Sequence, residues 1–284
     1  LVRSRGLGDV YKRQVIGPRR ETPCICGLWT RGTLPRYTRS QRHTESKDRG
    51  LRKLGIIGGM SWVSTAMYYE RINSNVQKRA APMASAPLLI ESLDFAQLYA
   101  LREERDWQRA ASVLIESARR LEGAGAETLI IGANSMHRLY DDVASAVNIP
   151  ILHIADYVGM AIKRAGHTNA ALIGTRNVMT ESFYRKRLVA HGIDLLPPNM
   201  EFVELLDKII YGELMVGKVT REAQRTMKTI ITNKAQEGAQ AIVLACTELD
   251  LVVDVDANVL PVFDSTRIHC EAAANWILDQ EGVL

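Results

Sequence analysis

The stretch "GAETLIIGANS" (Gly125–Ser135) aligns without a gap on "GAQAIVLACTE" (Gly238–Glu248), and this internal repeat decides the fold. Both copies begin with Gly-Ala, continue as an aliphatic strand and end in a turn of small residues that carries polar groups. A weaker correspondence in the same order pairs "LGIIGGM" (Leu54–Met60) with "AALIGTR" (Ala170–Arg176). Two pairs in one order favour a duplicated unit over chance similarity. The repeat therefore predicts two similar halves whose strand ends point into one shared cleft.

From Lys53 onward, short apolar runs alternate with helical segments such as Trp107–Gly123 and Arg221–Glu237. This alternation is typical of parallel sheets with helices on both faces, and ligands bind at the carboxyl ends of such strands. The predicted fold class is therefore α/β, with two pseudosymmetric Rossmann-like lobes, each a mostly parallel sheet flanked by helices, and a cleft between them. The strand candidates are Leu54–Ile57, Pro87–Ser92, Thr128–Ile131, Ile151–His153, Ala170–Ile173, Ile242–Ala245 and Val259–Val262.

The same alternation suggests the domain organisation. We assign residues 53–150, completed by residues 265–282, to a first lobe and residues 151–264 to a second. Residues 1–52 lack apolar periodicity, and "SRGLGDVYKRQ" within them resembles translated adaptor sequence. We expect a non-native or disordered extension there. An Arg-rich transit peptide is the competing interpretation.

Charge and cysteine content limit the function classes. Residues 1–50 hold twelve of the 36 Lys and Arg but four of the 32 Asp and Glu, so the remainder is slightly acidic and predicts no nucleic-acid partner. No apolar run of about 18 residues predicts a membrane span. Four cysteines in a chain this long favour a reducing cytoplasm over a disulfide framework. Cys24 and Cys26 are too close for the usual zinc pairing, so no metal is expected.

Cys246 ends a predicted strand, and its counterpart in the repeat is Ala133. A cysteine beside aliphatic residues is most often a small buried hydrophobe. Its position at a strand end, before Thr247 and Glu248, favours a functional thiol, because backbone N–H groups of a following helix stabilise a thiolate. One half of the repeat thus supplies a thiol and the other supplies a methyl group.

Polar residues flank both positions. Asn134 and Ser135 start the predicted helix after Ala133, where helix capping alone explains them, although the same N–H groups can also bind a carboxylate. Thr247 and Glu248 can orient a substrate ammonium or hydroxyl. His137, one turn further on, is expected to be a structural histidine.

Several motifs resemble the aspartate/glutamate racemase family, and most closely its broad-specificity bacterial amino-acid racemases. The motifs are "GGMSW-x-ST" with "YY-x-x-IN" (Gly58–Asn73), "NSMH" (Asn134–His137), "GTR" with "FY-x-x-RL" (Gly174–Leu188), "ACTE" (Ala245–Glu248) and "PVFDST-x-IH" (Pro261–His269).

The resemblance implies an enzyme that uses no cofactor, acts on a small amino acid and forms a homodimer. In such enzymes, cysteines from two pseudosymmetric halves flank the substrate Cα, and one removes a proton while the other delivers one. The substrate-binding positions it implies are Met60, Arg102, Asn134, Ser135, Thr247 and Glu248. Stricter aspartate racemases carry a lysine where this chain has Met215, which weakens the case for a single substrate.

Ala133 departs from this pattern, because it stands where the resemblance places the first catalytic cysteine and cannot exchange a proton. General acid–base help is worth about 10²–10⁴-fold. The leading hypothesis is a racemase of acidic or related amino acids with one competent thiol, Cys246, and asymmetric or weak activity. The alternatives are a single-cysteine decarboxylase of the same superfamily and a non-catalytic binder of acidic amino acids.

Overall fold

The computed structural model describes residues 50–103, 105–255 and 257–280, with no side-chain description for Glu103. They form two four-stranded parallel sheets flanked by helices, which confirms the predicted α/β fold. We call the first sheet with its helices the first lobe and the second sheet with its helices the second lobe.

The strands are β1 (Leu54–Gly58), β2 (Leu88–Ser92), β3 (Thr128–Ile131), β4 (Ile151–Leu152), β5 (Asn169–Gly174), β6 (Asp194–Leu195), β7 (Ile242–Ala245) and β8 (Val262–Asp264). The helices are α1 (Trp62–Arg79), α2 (Phe95–Glu103), α3 (Trp107–Gly123), α4 (Tyr140–Ala144), α5 (Ile154–Arg164), α6 (Arg176–Thr180), α7 (Ser182–Ala190), α8 (Met200–Gly212), α9 (Arg221–Gln236) and α10 (Ser265–Ile277).

The strand order shows the duplication directly. The first sheet runs β2-β1-β3-β4 and the second runs β6-β5-β7-β8, the same order with every number raised by four. The sequence pairs β1 with β5 and β3 with β7, and these are the equivalent central strands. Both β3 and β7 lead into a short 3₁₀ helix, Ser135–Leu139 in the first lobe and Thr247–Leu251 in the second.

Two strand predictions need correction. The last strand is Val262–Asp264 rather than Val259–Val262, and the two-residue strand β6 was not predicted. These are the two edge strands of the second sheet, where few apolar residues are needed. By contrast β1, β3 and β7 are buried along their whole length, so their sequences read as continuous apolar runs.

Helix α10 follows the second sheet in the chain, but its buried residues pack in a cluster with residues of β1 and α1 of the first lobe. Arg52 also contacts this part of the fold, since its Nε donates to the carbonyl of Trp276 at 2.7 Å.

The domain boundaries themselves stay a prediction. Residues 1–49, including Cys24 and Cys26, lie outside the described residues.

A tight turn after β1 positions the start of α1. Gly59 has a φ of 84°, and a Cβ there would lie 2.1 Å from the carbonyl oxygen of Leu93, so only glycine fits. The Ser61 hydroxyl then accepts from the Ser64 backbone N–H as the N-cap of α1. The turn therefore brings Met60, Ser61 and Ser64 to the carboxyl end of the first sheet.

None of the described helices combines the length and the apolar character that a bilayer crossing requires.

Candidate active site

The carboxyl ends of the central strands of both sheets meet at one small cavity. All eight positions named from the sequence line it: Met60, Arg102, Ala133, Asn134, Ser135, Cys246, Thr247 and Glu248. The other lining residues are Phe95, Met136, Thr175, Tyr211, Met215 and Ala245. The cavity thus joins both halves of the repeat, with Cys246 from one and Ala133 from the other.

The cavity is small. Its volume of about 20 Å³ is close to what one water molecule requires. On one side, the Arg102 guanidinium lies 4.9 Å from the ring centre of Tyr99 and 4.3 Å from that of Tyr211, and it donates to the Tyr211 hydroxyl. Arg102 and Tyr211 also line an outer pocket of about 610 Å³. Arg102 and Tyr211 thus border both the cavity and the outer pocket.

Cys246 lies at the end of β7 with 7% of its surface exposed. Its Sγ is 3.1 Å from Glu248 Oε2, to which the thiol donates. Burial, and then the charge of Glu248, raise the pKa of Cys246 well above its ordinary value. Backbone N–H groups of Glu248 and Leu249 act in the opposite direction but are outweighed. The expectation of a stabilised thiolate is therefore wrong, because burial and the charge of Glu248 favour the protonated thiol.

The Glu248 carboxylate joins the two lobes. Its Oε1 lies 3.1 Å from the Ser61 hydroxyl and 3.0 Å from that of Ser64, both from the first lobe. Its Oε2 accepts from Thr247 Oγ1 at 2.7 Å and from Cys246. Ser64 Oγ is also 2.6 Å from Thr247 Oγ1, and either hydroxyl can be the donor in that contact. This network holds the carboxylate in one orientation beside the thiol.

A second link between α1 and the 3₁₀ helix Thr247–Leu251 lies nearby. Arg71 of α1 donates to Asp250 and, at 2.9 Å, to Asp264 Oδ2 at the end of β8. Polar contacts from α1 therefore join the first lobe to the second. Arg102 of α2 and Tyr211 of α8 form a further contact between the lobes.

Two buried polar side chains in the cavity lack a partner. Neither side-chain atom of Asn134 has a hydrogen-bond partner within the described part of the chain, and the same holds for Thr175 Oγ1. Both residues are 5% exposed. Asn134 precedes the helix Ser135–Leu139 but makes no side-chain cap bond, so the capping interpretation of Asn134 is wrong. Unpaired buried polar groups cost about 1–3 kcal/mol, and a bound ligand would remove that cost.

Ala133 presents its methyl group to the cavity and its carbonyl to His137. The His137 Nδ1–H donates to that carbonyl at 2.9 Å, and its Nε2 accepts from the Ile154 backbone N–H at 3.3 Å. Burial lowers the pKa of His137 to about 4, so the ring is neutral. His137 therefore holds the turn after β3 in place, as the sequence predicted for a structural histidine.

The rest of the lining is mostly apolar. Met60, Phe95, Met136 and Met215 line the cavity, and methionine side chains adapt readily to different ligand shapes. Arg102 is the one cationic residue in the cavity lining. The described residues contain no group of three or more His, Cys, Asp and Glu able to hold a metal ion.

Thr175 lines the cavity and was not predicted, although its place in the repeat identifies it. In the repeat it is the counterpart of Gly59, directly after β5, so it stands at a central strand end. Phe95 and Tyr211 come from α2 and α8, which no repeat or strand end identifies. Their positions depend on how the helices pack.

Together, the two-lobed fold, the buried thiol and the unpaired polar groups describe a candidate small-molecule site. The family model "Asp/Glu/Hydantoin racemase" matches residues 57–273, and the chain belongs to this family. The chain is 24% identical over 229 residues to the broad-specificity amino-acid racemase RacX of Bacillus subtilis, a match that covers 79% of this chain and 98% of RacX.

Two solved structures show the same fold. A candidate Asp/Glu racemase from Yersinia pestis is 39% identical, with a TM-score of 0.76, over 80% of this chain and all of that one. PH1733, an aspartate racemase homologue from Pyrococcus horikoshii, is 32% identical, with a TM-score of 0.71 and the same coverage.

Proposed function

We propose that the protein is a cofactor-independent racemase of acidic or related amino acids with one competent thiol at the site, Cys246. Family membership supports the reaction class. The observation that carries the proposal is that Cys246, its repeat counterpart Ala133 and the implied binding positions all line one cavity.

Substrate binding in this proposal uses groups from both lobes. The unpaired amide of Asn134 and hydroxyl of Thr175 are suited to the α-carboxylate. Arg102 can exchange its contact with Tyr211 for a side-chain carboxylate, because a guanidinium binds carboxylates with paired hydrogen bonds. The methionines and Phe95 accept the remaining side chain, which favours more than one amino acid as substrate.

Proton transfer is expected to be unequal on the two faces of Cα. To act as base, Cys246 must lose its proton, and Glu248 Oε2 at 3.1 Å is the nearest acceptor. The thiolate then takes the α-proton. On the opposite face Ala133 has no proton to give, so Ser135 or a water molecule must supply it. Weak activity that differs between enantiomers follows from this asymmetry. Homodimer formation, a cytoplasmic location and the absence of a metal stay predictions.

Solvent exchange at Cα tests the proposal. L- and D-aspartate, L- and D-glutamate and a set of neutral amino acids are incubated in D₂O at high enzyme concentration, and deuterium at Cα is followed. We expect incorporation with at least one amino acid and a different rate for its enantiomer. Absence of exchange with every amino acid would overturn the proposal. Carbon dioxide released from substituted malonates would instead indicate the decarboxylase, and thermal stabilisation by ligand without exchange would indicate the binder.

A further inference from the structure

Two serines of the first lobe contact the carboxylate beside the thiol and have no role in the reaction described above. Ser61 is the N-cap of α1, and Ser64 lies in its first turn. Ser64 is fully buried and Ser61 is 8% exposed. Both hydroxyls reach Glu248 Oε1, at 3.1 and 3.0 Å, although Glu248 belongs to the other lobe.

Four donor groups surround this carboxylate. A carboxylate offers about four lone-pair sites on its two oxygens. Ser61 and Ser64 occupy Oε1, while Thr247 and Cys246 occupy Oε2. A substrate ammonium would compete with these four donors for Glu248. The contacts therefore favour a role for Glu248 towards the thiol rather than towards the substrate.

We infer that Ser61 and Ser64 are positioning residues that hold the Glu248 carboxylate against the Cys246 thiol across the cleft. The first lobe thereby fixes where the proton of the second lobe's thiol lies. The inference rests on the proposed function only in that it takes Cys246 to be the reacting group.

The two serine hydroxyls supply the hydrogen bonds that Glu248 Oε1 accepts. Without their hydroxyls, a buried carboxylate oxygen would have no donor, which is costly. The side chain would then rotate or draw in water, and the 3.1 Å contact between Oε2 and the sulfur would lengthen. The charge of Glu248 is the second cause, after burial, of the raised pKa of Cys246. Loss of both serine hydroxyls should therefore lower that pKa.

Titration of the thiol tests the inference without any turnover. The ultraviolet absorbance of thiolate is followed against pH for the parent protein, the Ser61→Ala/Ser64→Ala double variant and Glu248→Gln. For each protein, the same titration is repeated with Cys246→Ser added. Subtracting that curve removes the absorbance of the other cysteines and leaves the signal of Cys246. We expect the pKa of Cys246 to fall by about one to three pH units in Glu248→Gln and in the same direction in the double variant.

Matched variants separate positioning from general destabilisation. Ser117→Ala removes another fully buried serine hydroxyl of the first lobe, one that contacts nothing at the site, and should leave the titration unchanged. Ser61→Thr keeps the hydroxyl and should restore the parent value. If the double variant does not fold, Ser61→Ala and Ser64→Ala alone should each give a smaller fall.

Three outcomes would overturn the inference. An unchanged thiol pKa in the serine variants, with a fall in Glu248→Gln, would show that the serines do not position the carboxylate. An unchanged pKa in Glu248→Gln would show that the carboxylate does not act on the thiol. A fall in Ser117→Ala of equal size would make the effect non-specific. Failure of the proposed racemase reaction would appear as absent exchange beside a normal titration, so the two failures are distinguishable.

Discussion

The Cys246 thiol donates to the Glu248 carboxylate across 3.1 Å, two residues further along the same 3₁₀ turn. This contact and the burial of the sulfur raise the pKa of Cys246 and favour the protonated thiol. A cysteine that acts as base must be a thiolate. The rate of solvent exchange should therefore rise with pH through the raised pKa of Cys246.

The Glu248→Gln variant should move that rise to lower pH, because it removes the negative charge beside the sulfur while keeping the side chain's size. The pH profile of deuterium exchange measures this. Glu237→Gln is a suitable control, because Glu237 pairs with Lys234 on α9, away from the cavity. An unmoved profile in Glu248→Gln would contradict the role given to Glu248.

Replacement of Ala133 by cysteine should restore the missing proton donor and acceptor. Ala133 is 8% exposed and faces the cavity from the first lobe, opposite the Cys246 half of the repeat. We expect the rate of racemisation to increase by about 10²–10⁴-fold and the two directions to become more equal. Ala111→Cys, 7% exposed in the parent and on α3 outside the cavity, is the control. No gain in Ala133→Cys would show that this position does not reach Cα.

Asn134→Ala should separate ligand binding from helix capping. Loss of a capping side chain costs about 0.5–2 kcal/mol of unfolding free energy. Asn134 makes no such bond, so the variant should lose no stability in denaturant unfolding but should lose the rise in melting temperature caused by substrate. Asn199→Ala, which removes the true N-cap of α8, should lose about 1 kcal/mol. A similar loss in both variants would contradict the ligand role.

Acid should destabilise the fold through its buried histidines. Burial lowers the pKa of His137 to about 4 and that of His269 to about 3. Because the unfolded chain takes up protons near pH 6.5 while these folded rings stay neutral, unfolding becomes easier as pH falls from about 6.5 to about 4. For His137 alone the loss is about 3 kcal/mol over that range.

Denaturant unfolding at pH 7 and pH 5 measures this loss. His137→Gln keeps a donor for the Ala133 carbonyl and should show a smaller loss between the two pH values. His167→Gln alters a half-buried histidine whose ring packs against Phe263, and this variant should behave as the parent does. An equal loss in all three proteins would show that the buried rings do not control the acid response.

The repeat made the fold predictable, because parallel strands buried on both faces leave continuous apolar runs. It also identified Ala133 and Cys246, since equivalent strand ends of duplicated lobes must face one cleft. The motif resemblance added positions such as Met60 and Arg102, and the structure places them in the same cavity.

Other features depend on tertiary contacts that one sequence does not record. The sequence predicted a helix cap at Asn134, because residue type alone cannot show whether a side chain turns towards the backbone or into a cavity. The thiol of Cys246 was expected to be acidic because the helix N–H groups are local, whereas its burial and the orientation of Glu248 depend on the first lobe. Tyr211 was missed because helix packing brings it to Arg102.

The central claim is that one thiol exchanges a proton with the substrate Cα. Deuterium incorporation from D₂O into the amino acid that the parent protein exchanges fastest, compared between parent and Cys246→Ser, tests it most directly. The account predicts a loss of about 10²-fold or more in Cys246→Ser and a parent-like rate in Cys270→Ala, whose sulfur is buried in the core. Undiminished exchange in Cys246→Ser would contradict it.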